Sequence, residues 1–223
     1  MVAFTLNRLK YGDAMPQNIS ALKPVLEGQP VIPVVVIDDI AHAVGMAKAL
    51  VAGGLPAIEV TLRTSAALEA IRRIAGEVEG AIIGAGTILD PQTFEQAVTA
   101  GARFIVSPGL TEPLGKAAIS SGISFLPGTA NAGDIMRGLD MGLTRFKFFP
   151  ATASGGLPAL KSLAAVFGQV RFCPTGGITE ATAAEWLAEP AIACVGGSWI
   201  VPKGAPNTAL IEANARAASN LRK

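Results

Sequence analysis

Short apolar runs rich in Val, Ile and Phe recur along the chain, each followed by a polar loop, a stretch with helical spacing and a glycine. Eight such runs begin near residues 31, 57, 81, 103, 123, 144, 170 and 191, a little over twenty residues apart. Within a run the apolar residues do not strictly alternate with polar ones, which is the pattern of parallel strands covered on both faces. The intervening stretches carry helix start signals. Asp38 or Asp39 precedes a face made by Ile40, Val44, Ala47 and Val51, and Ser65 precedes Leu68, Ile71 and Ala75. Asp90-Pro91 pairs a cap with proline at the first helical position, and Thr111, Asn131 and Thr179 can open three more helices. Gly53, Gly76, Gly101, Gly122, Gly142 and Gly168 stand where helices should stop. The tail from Thr208 to Leu221 reads as a last helix, and the stretch before Gln29 as an extra helix that closes the bottom of a barrel.

Eight βα units joined by right-handed crossovers predict an α/β fold, a (β/α)8 TIM barrel, with residues 1–223 as one domain. An open doubly wound sheet is the alternative, and the regular repeat and strand count favour the barrel. Chain length suits one large core, since 223 residues with half of them hydrophobic is a common barrel size.

The charge balance narrows the partners. Formal net charge is +1 and no block of Lys or Arg occurs, so neither nucleic acid nor an anionic membrane surface is expected. No apolar run approaches the roughly 18 residues of a membrane span, and the first residues lack the apolar core of a signal peptide. Cys173 and Cys194 lie in strand-like apolar runs and read as buried free thiols, which points to a reducing, cytoplasmic compartment. The one histidine, His42, sits on a predicted helix without clustered ligands, so no metal and no other cofactor is expected.

In a barrel of this kind the active site lies at the C-terminal strand ends, so polar residues there carry the functional signal. Lys147 stands in the aromatic run Arg145-Phe146-Lys147-Phe148-Phe149-Pro150. Apolar surroundings disfavour an ammonium, and a neutral lysine amine attacks carbonyl carbon to form a Schiff base. A lysine snorkelling to water at a strand end is the bland alternative. In the second run, alternation puts Glu59, Thr61 and Arg63 on one face. Either Glu59 and Arg63 form an internal ion pair, or Glu59 moves protons while Arg63 grips an anionic substrate group. Gly84-Ala85-Gly86-Thr87 ends the third run, where the glycines admit a close approach to the backbone and Thr87 offers a hydroxyl. The seventh and eighth runs end in Thr175-Gly176-Gly177 and Gly196-Gly197-Ser198. Glycine pairs at those two places are either tight turns or the phosphate cradle usual in this fold. Together the groups describe a substrate with a ketone and carboxylate at one end and a phosphate at the other.

These segments, EVTLRT at Glu59–Thr64, GAGT at Gly84–Thr87, SPG at Ser107–Gly109, FKFFPA at Phe146–Ala151, CPTGGI at Cys173–Ile178 and GGSW at Gly196–Trp199, resemble the 2-keto-3-deoxy-6-phosphogluconate aldolases. The resemblance runs from about Val31 to Pro202. It implies a class I aldolase, often also active on 4-hydroxy-2-oxoglutarate, in the Entner–Doudoroff route and usually a homotrimer. It also implies roles: Lys147 for the Schiff base, Glu59 as acid/base, Arg63 and Thr87 on the pyruvate carboxylate, Pro108 and Phe149 lining the pocket. Thr175 would lie near the substrate hydroxyls, with Gly176, Gly177, Gly197 and Ser198 on the phosphate. Aldolases for the galactonate-derived epimer carry proline after the Glu-Val pair, so Thr-Leu-Arg favours the gluconate-derived substrate. Gly128-Thr129-Ala130-Asn131 departs from the family's Gly-Ile/Val-Ser/Ala-Thr, so no substrate contact is carried over onto that loop. A phosphate-binding isomerase or synthase without a covalent step, and a non-catalytic phosphometabolite-binding barrel, are the competing readings. Neither accounts for Glu59, Arg63 and Lys147 together.

Overall fold

A computed structural model describes residues 17–202 and 204–221. Strands and helices alternate as the repeat predicts. Helix α1 (Ile19–Leu26) leads into β1 (Val31–Val35), and a 3-10 turn at Ile40–His42 runs into α2 (Ala43–Ala52). Then follow β2 (Ala57–Thr61), α3 (Ala67–Glu77), β3 (Ile82–Gly86), α4 (Pro91–Thr99), β4 (Phe104–Val106) and α5 (Glu112–Ser121). Next come β5 (Ser124–Leu126), β6 (Gly128–Thr129), α6 (Ala132–Asp140), β7 (Arg145–Phe148) and α7 (Gly156–Val166). The chain closes with β8 (Arg171–Pro174), α8 (Glu180–Leu187), β9 (Val195–Gly197) and α9 (Thr208–Ser219).

All the strand pairs are parallel. A six-stranded sheet, ordered β5-β4-β3-β2-β1-β9, forms a half-barrel, and a second sheet is ordered β6-β7-β8. Single bridges Phe172↔Ile192 and Thr175↔Gly196 join the edges of the two sheets at β8 and β9. At the other junction only Pro127 separates β5 from β6. Proline has no N–H for a ladder, which divides the fifth apolar run into two short strands.

Alternation along the strands sorts side chains into two layers. Ile58, Val60, Ile83, Ala85, Phe146, Phe148 and Phe172 face the helices in the larger apolar cluster. Ile32, Ala57, Phe104, Val106, Leu126, Cys173 and Cys194 point the other way, where Leu22, Val25 and Leu26 of α1 pack on them. Burying an aromatic or aliphatic side chain of this size contributes about 1.5–3 kcal/mol. The segment before Gln29 is thus helical over Ile19–Leu26, while its residues before Gln17 lie outside the described ones.

Two buried glutamines replace ladder bonds that the short strands lack. Gln17 Nε2 donates to Phe125 O at 2.8 Å and Arg145 O at 3.0 Å, and its Oε1 accepts from Thr144 N and Arg145 N. One side chain therefore links β5 to the start of β7. Gln29 does the same between the starts of β1 and β2, bonding Val31 O and both backbone groups of Ala57.

Several helix ends follow the sequence signals. Asp39 caps the 3-10 turn, Asp90 and Thr179 form capping boxes, and Asn131 accepts from Asp134 N. Others differ. Ser65 does not cap α3, whose preceding residue Ala66 is already helical. Gly76 lies inside α3, which runs one residue further to Glu77, and Arg73 and Glu77 pair one turn apart on its exposed face. The last strand starts at Val195 rather than near 191, since Ile192 makes only a single bridge to Phe172.

Candidate active site

Glu59 comes from the six-stranded sheet and Lys147 from the three-stranded one, and their side chains meet between the two. Lys147 is the third residue of β7, between the outward-facing Phe146 and Phe148, so alternation turns its side chain inward. Glu59 is likewise the inward residue between Ile58 and Val60. Lys147 Nζ stands 3.1 Å from Glu59 Oε1 and 3.5 Å from Oε2, and both side chains are buried, with 7% and 4% of their surface exposed. Each charge compensates the other for lost hydration, an arrangement that is costly if either partner is removed. The Phe149 ring lies 5.2 Å from Nζ and walls the amine on one side.

The glycines of β3 make room for this pair. A Cβ on Gly86 would collide with the Glu59 carboxylate, and one on Gly84 with the Phe104 ring. The close approach expected at these glycines is therefore made by the protein's own side chains. Thr61, the next inward residue of β2, donates its hydroxyl to Val35 O at 3.1 Å and is occupied with the backbone.

Arg63 is placed differently from the strand reading. β2 ends at Thr61, and the Arg63 N–H turns back to bond Thr61 O. The side chain is exposed at the rim and bonds no other described group, so Glu59 pairs with Lys147 and not with Arg63. Alternation was extended one residue pair beyond the point where the strand breaks.

The remaining candidates lie at or just after the C-terminal ends of the strands. Thr87 directly follows β3, half-buried, with φ +63, a left-handed conformation uncommon for a β-branched residue and often found at functional sites. Pro108 and Phe149, both half-buried, line a cavity of about 340 Å³ beside the ends of β3, β4 and β6, together with Gly128 and Thr129. The Ser107 hydroxyl, not anticipated from sequence, fixes the turn at Pro108 by donating to Gly109 O at 2.6 Å. The Phe149–Pro150 peptide is cis. A larger cleft of about 750 Å³ lies between α5 and α6, near Lys116 and Arg137, and includes neither Lys147 nor Glu59.

Thr175 is buried, and its side chain fills the space over Gly196, where a Cβ would clash with it. Gly176 and Gly177 follow with φ +103 and +79, the left-handed region that glycine adopts without steric cost. Their N–H groups donate to no acceptor among the described residues. Successive free N–H groups in such a turn make a concave anion site. Gly197 ends β9 in the interior and Ser198 is exposed beside it. The arrangement thus combines a buried amine and carboxylate with a separate cradle of backbone donors.

The family model for KDPG and KHG aldolase matches residues 22–214. The 2-dehydro-3-deoxy-phosphogluconate aldolase of Zymomonas mobilis is 59% identical over 199 residues, 89% of this chain and 95% of that one. A crystal structure of the Zymomonas mobilis ZM4 aldolase with 3-phosphoglycerate superposes with a TM-score of 0.88 at 58% identity, covering 91% of this chain and 96% of that one. KDPG aldolase from Legionella pneumophila, with pyruvate captured as a covalent carbinolamine intermediate, superposes with a TM-score of 0.86 at 47% identity, covering 88% and 97%. The motifs, the fold and these similarities agree: the chain belongs to the KDPG and KHG aldolase family.

Proposed function

We propose that this protein is a class I aldolase, a carbon–carbon lyase that cleaves 2-keto-3-deoxy-6-phosphogluconate to pyruvate and glyceraldehyde 3-phosphate through an imine on Lys147. The buried Lys147–Glu59 pair, 3.1 Å apart, carries the reading. Glu59 accepts a proton from the Lys147 ammonium as substrate enters, and the freed amine adds to the C2 ketone. Glu59 returns that proton to the departing hydroxyl, and loss of water gives an iminium with the carboxylate free again. Glu59, directly or across one water, then takes the proton of the C4 hydroxyl. The C3–C4 bond breaks with its electrons drawn into an enamine, and glyceraldehyde 3-phosphate leaves. Protonation of the enamine and hydrolysis release pyruvate and restore the lysine. The carbinolamine captured in the Legionella relative supports a covalent route.

Arg63 and Thr87 hold the pyruvate carboxylate, Arg63 swinging in from its exposed position at the rim. Pro108 and Phe149 line that pocket, and Thr175 sits by the substrate hydroxyls. The N–H groups of Gly176 and Gly177, with Gly197 and Ser198, take the phosphate, a reading supported by the 3-phosphoglycerate complex of the Zymomonas relative. 4-Hydroxy-2-oxoglutarate, which shares the keto-acid end, is a second substrate. The two sheets are two arcs of one closed (β/α)8 barrel over residues 1–223, with α1 as a plug at the lower end. The bridges between β8 and β9 and the shared inner cluster support that closure. Homotrimeric assembly and a place in the Entner–Doudoroff route follow from the family, and two buried unbridged thiols suit a reducing cytoplasm.

The test is borohydride reduction with pyruvate followed by peptide mass mapping. A reduced pyruvyl adduct on Lys147 is expected. Absence of an adduct there, with turnover intact, rejects the covalent reading in favour of a phosphate-binding barrel without an imine.

A further inference from the structure

The loop after β7 reaches the glycine turn that follows β8. Ala151 N donates to Thr175 O at 2.8 Å and Thr152 N to Gly176 O at 3.0 Å, so two successive backbone bonds hold this loop against the turn. The consequence is that the Thr152 side chain lies directly over Gly177: a Cβ on Gly177 would collide with the Thr152 hydroxyl oxygen and Cβ. Thr152 is exposed, and its hydroxyl bonds no other group among the described residues. The hydroxyl stands against Gly177, whose N–H, like that of Gly176, donates to no acceptor among the described residues. A hydroxyl donor on a backbone held against this turn, in contact with Gly177, adds a third direction from which an anion oxygen can be held.

We propose that Thr152 is a specificity-determining residue of the phosphate subsite, its hydroxyl donating to a phosphate oxygen held by Gly176 and Gly177. This rests on the reading of those glycines as the phosphate cradle. It goes beyond that reading by assigning a residue of the lysine strand's own loop to the far end of the substrate. Phosphate binding and imine formation are thereby joined through six residues of chain, from Lys147 to Thr152. The proposal also explains the need for glycine at 177: any side chain there would push Thr152 off the cradle.

The test compares two substrates that share the keto-acid end and differ in the phosphate. Thr152→Val removes the hydroxyl at nearly constant shape, and Thr152→Ser retains it. T152V should raise KM for the phosphorylated six-carbon acid about tenfold or more, the usual weight of a hydrogen bond to a charged group. kcat should stay close to the parent value, and neither constant for 4-hydroxy-2-oxoglutarate should move. T152S should restore the phosphorylated substrate. Equal losses on both substrates, or no change on either, overturn the proposal. Thermal stabilisation by inorganic phosphate separates this from a failure of the cradle itself. Stabilisation of the parent that is reduced in T152V supports the assignment. Equal stabilisation of both removes Thr152 while leaving the cradle, and none in either removes both.

Discussion

A carboxylate oxygen of Glu59 occupies the space that a side chain on Gly86 would take. The acid on β2 is therefore held in place by what β3 omits, and the register pairing Thr61 with Gly86 keeps that space opposite the carboxylate. Gly86→Ala should drive the carboxylate away from Lys147 Nζ. We expect kcat to fall by about 100-fold or more, the usual weight of a positioned acid/base. The accompanying loss of stability should be about 1–3 kcal/mol, as for other overpacked core sites. Steady-state kinetics beside a melting curve check this. Near-parent turnover in a folded G86A protein would show that the carboxylate's location does not matter.

The same pair predicts an asymmetry in stability. Lys147→Met leaves a carboxylate buried without its cation, at a cost of about 3–5 kcal/mol. For a chain of this size that corresponds to a Tm lower by roughly 6 °C or more. The double substitution K147M/E59Q removes both charges and should recover a substantial part of that loss, although each change separately abolishes or cripples turnover. Differential scanning calorimetry of the two proteins decides it; a double variant less stable than K147M refutes the electrostatic account.

Arg63 offers the opposite signature. Its side chain is exposed and engages no described group, so Arg63→Ala should change stability by no more than about 0.5 kcal/mol. Losing a two-pronged carboxylate contact should nevertheless lower kcat/KM about 10- to 100-fold for every keto-acid substrate, phosphorylated or not. A large drop in Tm would instead assign Arg63 to the scaffold.

Much of this was readable from residue order. The apolar runs located the strands to within a residue or so at seven of the eight positions, because parallel strands buried on both faces have no other pattern. Asp90-Pro91 and Thr179 declared their helices through local chemistry that needs no tertiary context. What sequence could not supply was anything decided by the curvature of the sheets. Glu59 and Lys147 lie 88 residues apart, and their contact depends on how β2 and β7 curl toward each other. Gly84 and Gly86 announced a close approach but not that Phe104 and Glu59 make it. Alternation fails at Arg63 because it assumes that a strand continues, and β2 ends at Thr61, where the Arg63 N–H turns back to Thr61 O. Gly76 marks the end of α3 only to within one residue, because glycine is tolerated inside a helix near its end.

Gln17 stands outside every strand, yet its amide grips both Phe125 and Arg145, and Arg145 lies only two residues before Lys147. The height at which the Lys147 amine projects is thus anchored from below by a residue that precedes α1 and lies outside the candidate site. Shortened versions of the chain that begin after Gln17 would lose that tether, and so loosen the very strand on which the imine is meant to form.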